Sequence, residues 1–155
     1  MWLRRFRYVL LLVALCSIAT CPAAKRACDA NTQMQEAEDL VGYLTDRVAV
    51  VFAATGKLPP MPAGPTPVPS CCDQGGTCPE DPAIWNTPGW RELGFSIDGT
   101  YRYTYAYVPD PSGTSATVRA IGDLDCDQQT SLYEVKLTVE GGKLSRAWTR
   151  KDPAE

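Results

Sequence analysis

The tract Lys57-Leu58-Pro59-Pro60-Met61-Pro62-Ala63-Gly64-Pro65-Thr66-Pro67-Val68-Pro69 constrains the fold of this chain more than any other stretch. Each proline fixes φ and removes a backbone donor, so the tract is expected to exclude both a helix and a regular β-ladder. It divides the chain into a part before it and a part after it. Cys71-Cys72-Asp73-Gln74-Gly75-Gly76-Thr77-Cys78-Pro79 follows at once and packs three cysteines close together. A connection running over 57–92 without regular structure needs pinning, and a disulfide is the obvious pin. Trp85 and Trp90 add apolar mass that can hold the rest of that loop to a domain.

The two parts have different periods. Before the tract, Met34, Ala37, Val41, Leu44, Val48 and Val51 recur at spacings of three and four, which places them on one face of a helix. The spacing predicts a helix over 31–55, with Asp29 or Asn31 as cap and Glu36, Glu38 and Asp39 toward its positive end. Gly56 is a natural left-handed stop, with Pro59 and Pro60 beyond it. Three heptads are the lower limit for a coiled-coil seam, so the stripe is expected to pack on a sheet.

After the tract the period becomes two. Phe95 to Ile97 and Tyr101 to Val108 flank Asp98-Gly99, a two-residue hairpin signal. Pro109 to Gly113 form the next turn, and Thr114 to Ile121 a third strand. Leu132 to Val139 and Leu144 to Trp148 enclose Gly141-Gly142 as a second hairpin. The fold expected is α+β: one long N-terminal amphipathic helix on a four- to five-stranded antiparallel sheet over 93–149. Residues 25–155 are long enough for one such domain and no more.

Residues 1–24 read as a signal peptide or membrane anchor. Arg4, Arg5 and Arg7 precede an almost wholly apolar run from Tyr8 to Ala19. That run is shorter than the roughly 20 apolar residues a spanning helix needs, although a helix continued to Ala24 would cross a thin bilayer. Cys21-Pro22-Ala23-Ala24 offers small residues for ordinary cleavage. Ile18-Ala19-Thr20-Cys21 offers a lipobox in which Cys21 carries lipid, and in a third reading Cys16 and Cys21 are plain small residues of the leader. All three imply export to the periplasm, cell envelope or exterior.

In an oxidising compartment the cysteines pair. The disulfide candidates are Cys28, Cys71, Cys72, Cys78 and Cys126, an odd number, which leaves at least one free or bonded to another chain. Their connectivity is open. A zinc site is disfavoured because adjacent cysteines such as Cys71 and Cys72 rarely both ligate one ion.

The order of these features resembles a known family. The quoted elements are the amphipathic helix, Gly56-Lys57-Leu58-Pro59-Pro60, Pro65-Thr66-Pro67, Cys71-Cys72 with Cys78, and Trp85 with Trp90-Arg91-Glu92-Leu93-Gly94-Phe95. Tyr101-Arg102-Tyr103-Thr104-Tyr105 and Ala120-Ile121-Gly122-Asp123-Leu124-Asp125 complete them. Together they look like the globular part of type IV pilin-like proteins of deltaproteobacterial type, the group that includes pseudopilins. The resemblance covers residues 35–148. It implies an exported subunit that joins a filament or secretion pseudopilus through protein contacts. The N-terminus departs from the pattern. Pilin precursors carry a Gly-Phe cleavage site and a Glu early in a long apolar helix, whereas here no glycine precedes Gly42 and Glu36 is the first glutamate.

One stretch suggests a ligand. From Asp123, oxygens at Asp123, Asp125, Asp127, Ser131 and Glu134 follow the spacing of a twelve-residue calcium loop, so calcium is the one cofactor to consider. Gln128 stands where such loops require Gly, and the flanks read as strands. The bland alternative is a solvated acidic turn. Tyr101, Tyr103, Tyr105 and Tyr107 share one sheet face, as either a binding platform or a core, and the less apolar Arg102, Thr104 and Ala106 opposite favour core.

The chain has no histidine and a net charge of −3. No nucleophile–base pair, phosphate loop or basic patch emerges, so the chain is read as a non-enzyme with no nucleic-acid partner and no small-molecule substrate. Its expected partners are other envelope subunits, with the membrane reached through the N-terminus. The alternative is a periplasmic or lipid-anchored binding module.

Overall fold

The computed structural model of the chain describes residues 32–153. The leader over 1–24, Cys21 with its lipidation reading, and Cys28 lie outside the described residues. Contacts divide the chain into Met1–Gln33 and Met34–Glu155, and all but two of the described residues belong to the second unit.

Helix α1 occupies 32–55. Ala37, Val41, Leu44 and Val48 of its stripe are completely buried, and Met34 packs against the same core. Gly56 ends it at φ 70, its N–H bonding to the Phe52 carbonyl at 2.7 Å. The left-handed cap forms where expected.

Five strands form one antiparallel sheet in the order β1 (Ala63–Thr66), β2 (Thr104–Pro109), β3 (Ser115–Gly122), β4 (Ser131–Glu140) and β5 (Lys143–Lys151). The molecule is therefore α+β, with one main helix against a five-stranded sheet. Side chains alternate across it by the two-residue period. One row runs Tyr105, Ala120, Tyr133 and Arg150, and the next Tyr107, Val118, Val135 and Trp148. This is the face that meets α1. Arg146 pairs with Asp46 and Arg150 with Glu38, each at 2.6 Å, and Arg47 Nε donates to the Leu93 carbonyl at 2.8 Å. Both ion pairs are solvent-exposed and add little stability; burial of the stripe against the tyrosine rows holds the layers together. All four tyrosines of the 101–107 ladder are at most 1% exposed, so the ladder is core and offers no platform.

Three expectations are corrected. The proline tract does enter a ladder, because β1 lies inside it. Ala63 opposes Tyr107 and Thr66 opposes Tyr105, with an irregularity between them. A sheet edge tolerates this, since a proline there can turn its missing donor away from the neighbour. The Gly64-Pro65, Thr66-Pro67 and Val68-Pro69 peptides are cis. Gly64 sits at φ 79, and a Cβ there would collide with the Tyr105 carbonyl.

The Asp98-Gly99 hairpin does not form. Phe95 and Ile97 are buried but belong to no strand, and Tyr101 pairs with Cys78 in an isolated bridge. Phe95 instead joins an aromatic cluster with Trp85, Trp90 and Tyr105, and this burial overrides the local turn signal. Consequently the second strand begins at Thr104, well after residue 93. The loop over 57–92 is also less irregular than expected. It contains β1, 3-10 turns at Cys72–Gln74 and Pro82–Trp85, and the start of a short helix α2 (Pro88–Leu93).

Candidate functional site

Two surface features and one buried cluster carry the polar chemistry of the described residues. The first is a corner stapled by two disulfides, Cys71–Cys78 and Cys72–Cys126. The first bond closes the turn around Cys72–Gln74. The second ties that turn to the acidic loop between β3 and β4. Cys72, Asp123 and Cys126 lie close enough together to suggest a metal group, but their two sulfurs are bonded to each other and offer no thiolate.

The acidic loop is ordered by its own carboxylates. Asp123 accepts the backbone N–H groups of Asp127 at 3.1 Å and Gln128 at 2.9 Å. Asp127 accepts the Gln129 N–H and side-chain amide, both at 2.8 Å, and these bonds hold its carboxyl below the usual range. Leu124 packs on the core beneath. Cys126 and Gln128 both take positive φ, 63 and 78. Gln128 thus makes the sharp turn that calcium loops assign to Gly. Oxygens of Asp123, Asp125 and Asp127 lie within 4.8 Å of one another. The other two expected ligands are elsewhere engaged. Ser131 is buried and donates to the Gly122 carbonyl at 3.1 Å, and Glu134 lies in β4 opposite Arg119 and outside that carboxylate group. Asp125 is exposed and has no hydrogen-bond or ion-pair partner.

The second feature is an open cleft of about 810 Å³ between the 3-10 turn at Pro82–Trp85 and α2. Trp85, Trp90 and Phe95 line it, with Asn86, Arg91 and Ser96 among the polar groups. Trp85 stands edge-on to Trp90 at 5.3 Å and to Phe95 at 5.5 Å. Trp90 Nε1 donates to Thr66 Oγ1 at 2.9 Å, which ties α2 to β1. Trp85 Nε1 is buried and has no acceptor. From sequence, the two tryptophans read only as anchors for the loop; the alternation of Trp85, Asn86, Trp90 and Arg91 was the available signal.

The buried cluster centres on Glu36 of α1. Its carboxylate accepts the Arg102 backbone N–H at 2.7 Å, with Arg102 Nη1 and the Tyr105 hydroxyl each at 3.5 Å. Burial pushes the carboxyl above its ordinary value, and the Arg102 contacts offset this only in part. Burial likewise raises Tyr105 well above the usual phenol. The Tyr103 hydroxyl nearby is buried without a hydrogen-bond partner. Sequence reasoning placed Glu36 only as a charge near a helix start. Its role depends on Arg102, which is 66 residues away.

Among the described residues, no helix is long and apolar enough to cross a membrane. No family model matches the chain, and neither the curated proteins nor the solved structures that were compared yield a match.

Proposed function

We propose that this chain is a non-enzymatic exported envelope protein, a pilin-like headpiece that works through protein contacts in a filament or secretion apparatus. The observation that carries the reading is the pair of disulfides. One closes a turn within the long connection between helix and sheet, and the other ties that turn to the loop between β3 and β4. Such bonds persist in an oxidising compartment, which agrees with a leader that directs export. One helix laid on an antiparallel sheet, in that chain order, is the arrangement the resemblance implies.

A second reading is a periplasmic or lipid-anchored binding module, favoured by the open cleft lined by Trp85, Trp90 and Phe95. The intact mass of the protein recovered from cell envelopes separates the two. A chain that retains the apolar run from Phe6 supports assembly. A start at Ala24 or Lys25 refutes it, and a diacylated Cys21 favours the lipid-anchored module. Calcium, where it enters this proposal, would sit on Asp123, Asp125 and Asp127. A chelator that leaves the melting temperature unchanged removes it.

A further inference from the structure

We propose that the outer edge of β5 binds an extended acidic segment of another protein, which adds to the sheet as a further strand. The inference rests on the protein-contact reading above and names the surface and the chemistry of its partner.

The free backbone of this edge follows from the turn before it. Glu140 opposes Lys143 across Gly141 and Gly142, whose φ values are 57 and 74. A two-residue hairpin with two left-handed centres closes on a hydrogen-bonded pair. Along an antiparallel ladder such pairs alternate with non-bonded ones. Lys143, Ser145, Ala147, Thr149 and Lys151 therefore bond to β4, and the N–H and C=O groups of Leu144, Arg146, Trp148 and Arg150 point away from it. β5 is the last strand of the sheet, and among the described residues nothing bonds these groups from outside.

Short length, irregularity and proline are the usual ways of blunting an edge. β1, at the opposite edge, has four residues, a register shift and a proline. β5 runs for nine residues with no proline and an unbroken register. Its charges are all of one sign: Lys143, Arg146, Arg150 and Lys151, with no acid. Trp148 stands among them 41% exposed, with the Arg150 guanidinium 5.1 Å from its ring centre. Across from this row, Asp46 and Glu38 of α1 meet Arg146 and Arg150. At Gly42, midway between those acids, a Cβ would meet nothing within 4 Å. Room is thus left at the level of Trp148 for a partner's apolar side chain.

An added strand sets alternate side chains opposite Arg146, Trp148 and Arg150. The fitting partner therefore carries an acid, an apolar residue and an acid at every second position. Backbone bonds give it affinity, and the three side chains give it selection. A second copy fits poorly. Twofold pairings of β5 centred on Arg146, Ala147 or Trp148 set Arg146 on itself, Lys143 on Lys151, or Arg146 on Arg150. The rest of the chain lacks the pattern too. Acids four residues apart occur only at Asp123 and Asp127, with Asp125 rather than an apolar residue between them.

Calorimetry of the full chain with the peptide Thr-Glu-Thr-Val-Thr-Glu-Thr tests this, against Thr-Lys-Thr-Val-Thr-Lys-Thr. The acidic peptide should bind and the basic one should not. N-methylating one alternate set of the acidic peptide's amides should abolish binding, and methylating the other set, which faces away, should spare it. Arg146→Gln combined with Arg150→Gln should weaken binding about tenfold. Both arginines are exposed, and unchanged melting curves confirm the fold; the N-methylated peptides report on the wild type whatever the variant does. Binding that ignores both methylated sets, or that accepts the basic peptide equally, overturns strand addition. So does a wild-type chain that binds neither peptide. Wild-type self-association in ultracentrifugation that the acidic peptide displaces overturns the foreign partner and makes a second copy the occupant. None of these outcomes touches the export and assembly reading, which the intact mass decides.

Discussion

Glu36 is where the helix, the start of β2 and the pH of the surroundings meet, and Glu36→Ala tests that junction. The side chain is 16% exposed, and its one short bond is the 2.7 Å acceptance from the Arg102 N–H. The two 3.5 Å contacts are too long to count for much. Removing the acceptor leaves a part-buried donor unsatisfied, at a cost of about 1–3 kcal/mol. At neutral pH the wild type also bears the desolvation of a charged carboxylate, which the variant escapes. The net loss at pH 7 should therefore lie near the lower end, about 1 kcal/mol, or roughly 4 °C in melting temperature. The sign of the pH dependence follows from the direction of the shift. The folded state holds the Glu36 proton more tightly than the unfolded chain, whose value is near 4.5. This contribution is fully present below 4.5 and is lost as pH rises through the raised folded value. The stability gap between wild type and Glu36→Ala should thus widen from pH 7 down to pH 4.5. Glu36→Gln, which mimics the protonated form, should match or exceed wild type at pH 7. Other carboxylates titrate in both proteins and cancel in the difference. Urea denaturation across that range measures the gap, and a gap that narrows or stays flat on acidification refutes the argument.

The disulfides should differ in weight. The Cys72–Cys126 bond spans 54 residues and Cys71–Cys78 spans 7, so chain entropy assigns about 4 and about 2 kcal/mol respectively. Paired serine substitutions in urea titrations check the order, and a larger loss from the shorter loop would contradict it. Gly64→Ala should cost about 2 kcal/mol or more, because it combines positive φ with a collision at the Tyr105 carbonyl; a loss under about 0.5 kcal/mol would mean that β1 is not held as described. Gln128→Gly should stabilise by about 0.5 kcal/mol, the relief of a left-handed non-glycine less the entropy of the new glycine. Thermal melts show the sign.

What the sequence determined by itself was whatever depends on near neighbours. The α1 stripe from Ala37 to Val48 was legible because a helix face repeats every three or four residues. The β4–β5 hairpin at Gly141-Gly142 and the buried tyrosine ladder were legible because strand alternation is equally local. The acidic loop was visible as a cluster, with its strand flanks, but Ser131 and Glu134 matched by spacing alone. Tertiary structure decided the rest. Local chemistry says that prolines avoid ladders and that Asp98-Gly99 turns a hairpin. The outcome at both places was set by partners far along the chain, Tyr105 and Tyr107 for β1, and Trp85 and Trp90 for Phe95. Cysteine pairing, the orphan indole of Trp85 and the Glu36–Arg102 bond belong to the same class. Each depends on groups that periodicity does not bring together, and only packing fixes which of the many distant partners a residue meets.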